Sequence, residues 1–95
     1  MRGNDVAISD RSEIDATLRA LLGDVLGLDA GRVATFDDQT LLFGALPEFD
    51  SMAVATLLTG IEERFAVLIE DDDVDAEDFA SFGALSAFIR KKVLV

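Results

Sequence analysis

The chain contains no cysteine, no histidine, no tryptophan and no tyrosine. Without cysteine it cannot form a disulfide, a thiolate zinc site or a thiol nucleophile, and without histidine it lacks every catalytic triad that uses an imidazole base. These absences exclude most enzyme chemistry. We therefore expect no catalytic residues, no metal site and no enzymatic activity of the chain itself.

Basic residues are also scarce. The 95 residues include 8 Lys and Arg against 19 Asp and Glu, which gives a net charge of −11. Binding to nucleic acid or to anionic membrane surfaces depends on clustered basic side chains, so we expect neither. Electrostatic complementarity instead favours partner proteins with basic docking patches.

Long hydrophobic runs are missing as well. The segments LLFGAL (41–46) and MAVATLL (52–58) are much shorter than the roughly 20 residues that span a bilayer. The first ten residues, MRGNDVAISD, contain no apolar segment of the kind found in signal peptides. We therefore expect a cytoplasmic protein.

The composition is that of one small folded domain. Half of the chain is hydrophobic, at 51%, which is enough to form a core without disulfides or a metal. No repeat or low-complexity linker divides the sequence, and the single proline, Pro47, lies within a loop. These features predict a single domain over residues 1–95, with its core at about 12–92.

Three segments show the apolar spacing of amphipathic helices, and none shows the alternation of a strand. Gly27 is suited to end the first helix, and Asp50 or Ser51 is suited to begin the second. The apolar stripes are Ile14, Leu18, Leu21, Leu22 and Val25 in the first, Val54, Leu57, Leu58, Ile61 and Phe65 in the second, and Phe82, Leu85, Phe88 and Ile89 in the last.

Two connections separate these helices. Residues 28–50 mix turn formers with apolar residues, including Leu41 and Phe43, and predict a long ordered loop that packs onto the core. In EDDDVDAED (70–78), Val74 and the following Phe79 can anchor a turn or a short helix. The predicted fold is therefore all-α, a small bundle of three main helices and one short helix.

Negative charge is concentrated in the middle of the chain. Residues 48–78 contain eleven acidic side chains and one basic side chain, which accounts for −10 of the net charge. Glu62 and Glu63 lie near the end of the second helix, where acidic side chains oppose the helix dipole. Because the fold gains no local benefit from them there, we expect these two to serve binding of a partner.

The acidic run EDDDVDAED (70–78) could also be interpreted as a calcium site. Asp71, Asp73 and Asp75 match the first three ligand positions of an EF-hand loop. However, Ala76 replaces the required glycine, and Phe82 stands where a bidentate glutamate is needed. The pattern therefore predicts no specific metal site, although clustered carboxylates can bind divalent cations weakly.

The segment LFGALPEFDSMAVATLLTGIEERF (42–65) resembles the acyl carrier proteins, whose central Asp-Ser-Leu motif opens the second helix. Here the triplet is Asp50-Ser51-Met52. VLGLD (25–29), TLLF (40–43), the acidic run and FGALSAFI (82–89) extend the resemblance over nearly the whole chain. The segment PEFDSMAV (47–54) is similar to the same segment in carriers encoded beside exopolysaccharide and exosortase systems.

This resemblance implies a function. The motif serine, Ser51, would receive 4′-phosphopantetheine from coenzyme A through a phosphopantetheinyl transferase, and the chain would be a monomer that presents thioester-linked cargo to acyl-loading and acyl-transferring enzymes. The serine hydroxyl at a helix start suits a phosphodiester, because free backbone N–H groups lie beside it. The implied recognition residues are Asp50, Met52, Glu62 and Glu63, and the implied acyl pocket is formed by Val54, Leu57, Leu58, Ile61 and Phe65.

The sequence departs from the family at two positions early in the second helix. Ala53 and Thr56 stand where many fatty-acid carriers place acidic residues, which favours a specialised pathway over housekeeping fatty-acid synthesis. Fatty acyl, polyketide and aminoacyl cargo all stay open. A second function class also stays open: an acidic helical adaptor that docks to basic grooves without any prosthetic group.

Overall fold

The computed structural model describes residues 11–93. This part of the chain is helical, with four α-helices and no strand. The helices are α1 (Arg11–Leu26), α2 (Ala30–Ala34), α3 (Ser51–Phe65) and α4 (Phe82–Val93). In residues 11–93 no helix is both long and apolar enough to span a bilayer. The predicted all-α class is confirmed, whereas the single-domain boundaries over residues 1–95 stay a prediction.

The core forms where the three predicted stripes meet. α1 packs against both α3 and α4, so the apolar faces of all three main helices point inward. Gly27 ends α1 with a φ of 71°, a left-handed conformation that glycine adopts without steric cost. The buried apolar residues of α1, α3 and α4 are Ile14, Leu18, Leu21, Leu22, Leu26, Leu57, Ile61, Phe65, Phe82, Leu85, Phe88 and Ile89.

A buried polar contact joins α4 to α1. Ser86 is fully buried, and its hydroxyl donates to the carboxylate of Asp15. The guanidinium of Arg90, one turn further along α4, donates to the same hydroxyl at 2.6 Å. The serine is thereby satisfied as both donor and acceptor, which removes the cost of burying it.

The connection between α1 and α3 is ordered, as predicted, but it contains a helix that the sequence did not reveal. Asp29 accepts a hydrogen bond from the N–H of Arg32 at 2.8 Å and so caps the five-residue α2. A helix this short shows no apolar period, so the pattern gave no signal for it. Val33 and Phe36 anchor the connection in the core, whereas Leu41 and Phe43, which were expected to pack inward, are exposed.

The second half of this connection pairs with the start of α4. The N–H of Leu42 donates to the carbonyl of Ala80 at 2.9 Å, and the N–H of Phe82 donates to the carbonyl of Thr40 at 2.8 Å. A third bond runs from the N–H of Gly83 to the carbonyl of Asp38 at 3.0 Å. The bonds from Phe82 and Gly83 satisfy N–H groups that a helix start leaves without intrahelical partners. They also fix the chain that leads to α3.

The acidic segment (residues 70–78) forms two 3₁₀ turns, at Asp71–Asp73 and, ending just beyond the segment, at Ala76–Phe79, which agrees with the predicted turn or short helix. Each turn is closed by a reciprocal cap between two acidic residues. Glu70 and Asp73 form one capping box, and Asp75 and Asp78 form the other. Much of the acidity in this segment therefore stabilises local structure.

Candidate functional site

Ser51 is the first residue of α3, and its side chain is exposed. Asp50 precedes it as the N-cap, with an extended backbone, and its carboxylate accepts a hydrogen bond from the N–H of Ala53 at 2.9 Å. Because Asp50 holds the first turn of α3 in place, the backbone of Ser51 is fixed and its exposed hydroxyl lies at the helix mouth. Both residues lie where the sequence predicted them.

The backbone beside Ser51 suits a phosphate. The N–H groups of Ser51 and Met52 belong to the first turn of α3, where no intrahelical carbonyl is available to them. The positive end of the helix dipole lies at the same place. A phosphodiester on the Ser51 hydroxyl would therefore meet free donors and a favourable field, so the residues present fit a phosphate-linked prosthetic group.

An apolar cavity of about 280 Å³ opens beside Ser51. We call it the Ser51 cavity. Its walls come from α3, from the connection that precedes α3, and from the segment that follows residue 73. The lining residues are Phe43, Ser51, Val54, Leu58, Val74, Asp75, Ala76 and Phe79.

The structure divides the residues that were predicted to form an acyl pocket. Val54 and Leu58 are partly buried and line the Ser51 cavity. Leu57, Ile61 and Phe65 are buried in the core between the helices and do not line this cavity. One helical stripe therefore serves two purposes, since its edge faces the cavity and its centre faces α1.

The sequence did not identify Phe43 and Phe79 as residues that line the Ser51 cavity. Phe43 and Phe79 both pack edge-to-face on Phe49, with ring centroids 5.7 and 6.1 Å from that of Phe49. Backbone pairing between Phe43 and Phe79 at 3.0 Å holds the two walls together. Their apolar character was visible in the sequence, but which side of the fold they face depends on long-range pairing that no local pattern reveals.

The loop before Asp50 is tied to α2. The guanidinium of Arg32 donates to the carboxylate of Glu48 at 3.0 Å. A backbone hydrogen bond within Glu48, together with Arg32, lowers the pKa of the Glu48 carboxyl below its ordinary value. Glu48 is therefore ionised at neutral pH and helps to place the chain two residues before the N-cap of α3.

Met52 is the most exposed large apolar side chain in the described part of the chain, at 79%. It directly follows Ser51, and the next nine residues carry no charge until Glu62. Large apolar side chains that stand in solvent next to a candidate site are typical of binding surfaces. Asp50 is exposed on the other side of Ser51, so both predicted neighbours are accessible.

Glu62 and Glu63 have different surroundings, although they were predicted to act alike. The carboxylate of Glu62 is partly buried and accepts a hydrogen bond from the N–H of Ile69 at 2.8 Å. It thereby fixes the chain that leaves α3, which corrects the expectation that this acid brings no local benefit. Glu63 is exposed and fits a role in binding a partner.

Among residues 11–93, no group of three or more potential metal ligands comes together. Asp73 and Asp75 are each part of a capping box, and the EF-hand geometry is not formed there. The absence of a specific metal site stays a prediction.

Comparison with known proteins agrees with this geometry. A family model described as "Phosphopantetheine attachment site" matches residues 16–89. Among solved structures, the chain is similar to a holo acyl carrier protein from Nitrosomonas europaea, with 38% sequence identity and a TM-score of 0.74 over 82% of this chain and 92% of that one. A search of curated proteins gives no significant match. The match over most of the chain, with the identity and fold shared with a holo carrier, shows that the protein belongs to the acyl carrier protein family, whose prosthetic group is covalently bound 4′-phosphopantetheine.

Proposed function

We propose that Ser51 carries the 4′-phosphopantetheine and that the chain presents thioester-linked acyl groups to partner enzymes. The observation that carries this proposal is the exposed Ser51 hydroxyl at the mouth of α3, beside free N–H groups and an apolar cavity. The bound group supplies the thiol that the chain lacks. The chain itself acts as a substrate of other enzymes and catalyses no step.

The Ser51 cavity supports an acyl cargo. Its walls are mostly aliphatic and aromatic, and Asp75 is the one charged residue among them. A dry apolar cavity of 150 Å³ accommodates benzene, so about 280 Å³ accommodates a chain on the order of ten carbon atoms. An apolar lining favours acyl over aminoacyl cargo, because burial of the charged amine of an aminoacyl group would be costly.

We assign recognition by the transferase and by acyl-handling enzymes to Asp50, Met52 and Glu63, which are exposed around Ser51 and along α3. Glu62 is removed from this set because its carboxylate is engaged by the backbone of Ile69. Partners with basic patches fit the acidic residues, and an apolar contact fits Met52. The monomeric state and the cytoplasmic location are part of the proposal.

The surface of α3 supports a specialised pathway. Residues 51–61 carry no charge, and the exposed hydroxyls of Thr56 and Thr59 bond to carbonyls of their own helix. A partner that depends on a row of acidic contacts along this helix would find few of them here. The enzymes that use this carrier are therefore expected to differ from those of housekeeping fatty-acid synthesis.

The proposed attachment is tested by intact mass. The purified chain is incubated with coenzyme A and a promiscuous phosphopantetheinyl transferase, and Ser51→Ala is treated in the same way. We expect one added phosphopantetheinyl group on the protein without substitutions and none on Ser51→Ala. Ser81→Ala is the matched control. Ser81 lies directly before α4, and its hydroxyl oxygen accepts a hydrogen bond from the N–H of Ala84 at 3.1 Å. This variant should be modified normally.

Two results would contradict the proposal. If several transferases fail to modify a folded chain, the alternative of an acidic adaptor without a prosthetic group is favoured. If Ser51→Ala is still modified, the attachment residue lies elsewhere.

A further inference from the structure

The far wall of the Ser51 cavity is a short stretch of chain between two anchors. Val74, Asp75 and Ala76 line the cavity opposite α3. After them the chain is anchored by Phe79, which is buried and whose carbonyl accepts the N–H of Phe43 at 3.0 Å. Before them it is anchored at Asp73. Val74 and the turn at Ala76–Phe79 also pack against the rest of the fold, so the hold on Asp73 sets the near end of the wall in particular.

Asp73 is held by α4. One carboxylate oxygen, Oδ2, accepts the ammonium of Lys92 at 2.7 Å and the N–H of Glu70 at 3.0 Å. The same oxygen thus closes the first 3₁₀ turn and ties that turn to the last turn of α4. Lys92 exposes 26% of its side chain and Asp73 exposes 37%, so this ion pair is more shielded from solvent than Arg64–Asp24, at 41% and 67%.

Contacts within the acidic segment do not replace this anchor. The capping boxes between Glu70 and Asp73 and between Asp75 and Asp78 shape each turn but leave its distance from α3 undetermined. The side chain of Val74 packs against the core, and upstream of it the bond from Ile69 to Glu62 lies several residues before the cavity wall. Lys92 thus adds a polar tie from α4 to the residue directly before the wall, beside the apolar packing of Val74.

We propose that the Lys92–Asp73 ion pair fixes the width of the Ser51 cavity and thereby limits the length of the acyl chain that the carrier can shelter. This inference rests on the proposed function of Ser51. Lys92 is a positioning residue, since it acts on the cargo through the segment that follows Asp73. With the pair intact, the cavity accepts a chain on the order of ten carbon atoms, as its volume indicates. Without the pair, the wall moves relative to α4 and longer chains fit.

The test compares Lys92→Met with Lys91→Met. The two variants lose the same charge from neighbouring positions on α4, but Lys91 is exposed and does not contact the acidic segment in the described structure. Each protein is loaded by a transferase from coenzyme A or from its octanoyl, dodecanoyl or hexadecanoyl thioester. Intact mass confirms the loading, and the thermal midpoint of each acyl form is compared with that of its own holo form.

For the unmodified sequence and for Lys91→Met, we expect the stabilisation by cargo to level off by the dodecanoyl form. For Lys92→Met, we expect it to keep rising to the hexadecanoyl form. Lys92→Arg keeps the positive charge and should retain the original dependence on chain length. Identical dependence in Lys92→Met and Lys91→Met would overturn the proposal.

Two further measurements keep the outcome interpretable. If Lys92→Met does not give a helical far-UV spectrum, Lys92→Gln replaces it in the same comparison. In amide spectra of the unmodified sequence, the signals of Val74 and Ala76 should shift with chain length and then stop shifting; unchanged signals would contradict a cargo wall at these residues. Failure of the proposed attachment at Ser51 is distinguishable, because the mass spectra then show either no acyl form or an acyl form that persists in Ser51→Ala.

Discussion

At the scale of single residues, the neighbouring glutamates Glu62 and Glu63 have different roles. Glu62 accepts the N–H of Ile69, whereas Glu63 extends into solvent. We expect Glu62→Ala to lower the free energy of unfolding by about 1–2 kcal/mol, because a backbone donor loses its charged partner. Glu63→Ala should stay within about 0.5 kcal/mol of the unmodified sequence.

Urea unfolding of the two variants checks this expectation. Equal stability of Glu62→Ala and Glu63→Ala would show that the bond to Ile69 contributes nothing. The same pair separates folding from docking. Glu63→Lys should slow transfer by a partner enzyme with little effect on stability, because exposed charges mainly affect association rates.

Gly83 allows the start of α4 to approach the α1–α3 connection. A Cβ at this position would lie 2.6 Å from the carbonyl oxygen of Asp38, a backbone atom that cannot move aside easily. We expect Gly83→Ala to destabilise the fold by about 1–3 kcal/mol through overpacking. Gly31→Ala is the control, since the nearest atom to its Cβ is 3.4 Å away; its stability should be unchanged or raised by up to about 1 kcal/mol.

Thermal unfolding with circular dichroism measures both glycine variants. A neutral Gly83→Ala would mean that the paired backbone between residues 38–43 and 79–83 can separate at little cost.

At the scale of elements, the ion pair between α4 and the acidic segment should depend on pH. The hydrogen bond from Lys92 and that from the N–H of Glu70 lower the pKa of the Asp73 carboxyl below its ordinary value of 3.8. A carboxyl whose pKa is lower in the folded state stabilises that state above its unfolded pKa and loses this contribution as the pH falls through the folded pKa. The ion pair is therefore fully effective at neutral pH.

We expect the difference in unfolding free energy between the unmodified sequence and Lys92→Met to be constant near neutral pH and to shrink as the pH falls below about 3.8. Lys91→Met should show no such convergence. Denaturant unfolding over a pH series measures all three proteins. A difference that persists unchanged below the pKa of Asp73 would show that Lys92 stabilises the fold by packing rather than by its charge.

At the scale of the whole molecule, most of the fold could be predicted from apolar periodicity and helix caps. The bounds of α3 follow from Asp50 as the cap and from a stripe that ends at Phe65. Other features arise from contacts between distant parts of the chain. Arg19 of α1 donates to the carbonyl of Phe36 at 2.8 Å and stacks over the ring of Phe82, and a backbone acceptor of this kind leaves no mark in the sequence.

The candidate site likewise combines residues that the local sequence predicts with residues that it does not. Ser51, Asp50 and Met52 could be predicted because they are adjacent in a motif with a physical role at a helix start. The cavity walls could not, since Phe43 and Phe79 meet only through pairing of two loops that lie far apart in the sequence. The acidic segment was predicted to contain a turn or a short helix, but its reciprocal capping is a local geometry that charge counting does not reveal.

Mapping the attachment site tests the central claim most directly. After treatment with coenzyme A and a transferase, cleavage at arginine yields the peptide of residues 33–64, in which Ser51 is the one serine. Fragmentation of this peptide should place a single phosphopantetheinyl group on Ser51. A group on one of its threonines, on a peptide outside residues 33–64, or on no peptide of a folded chain would contradict the account.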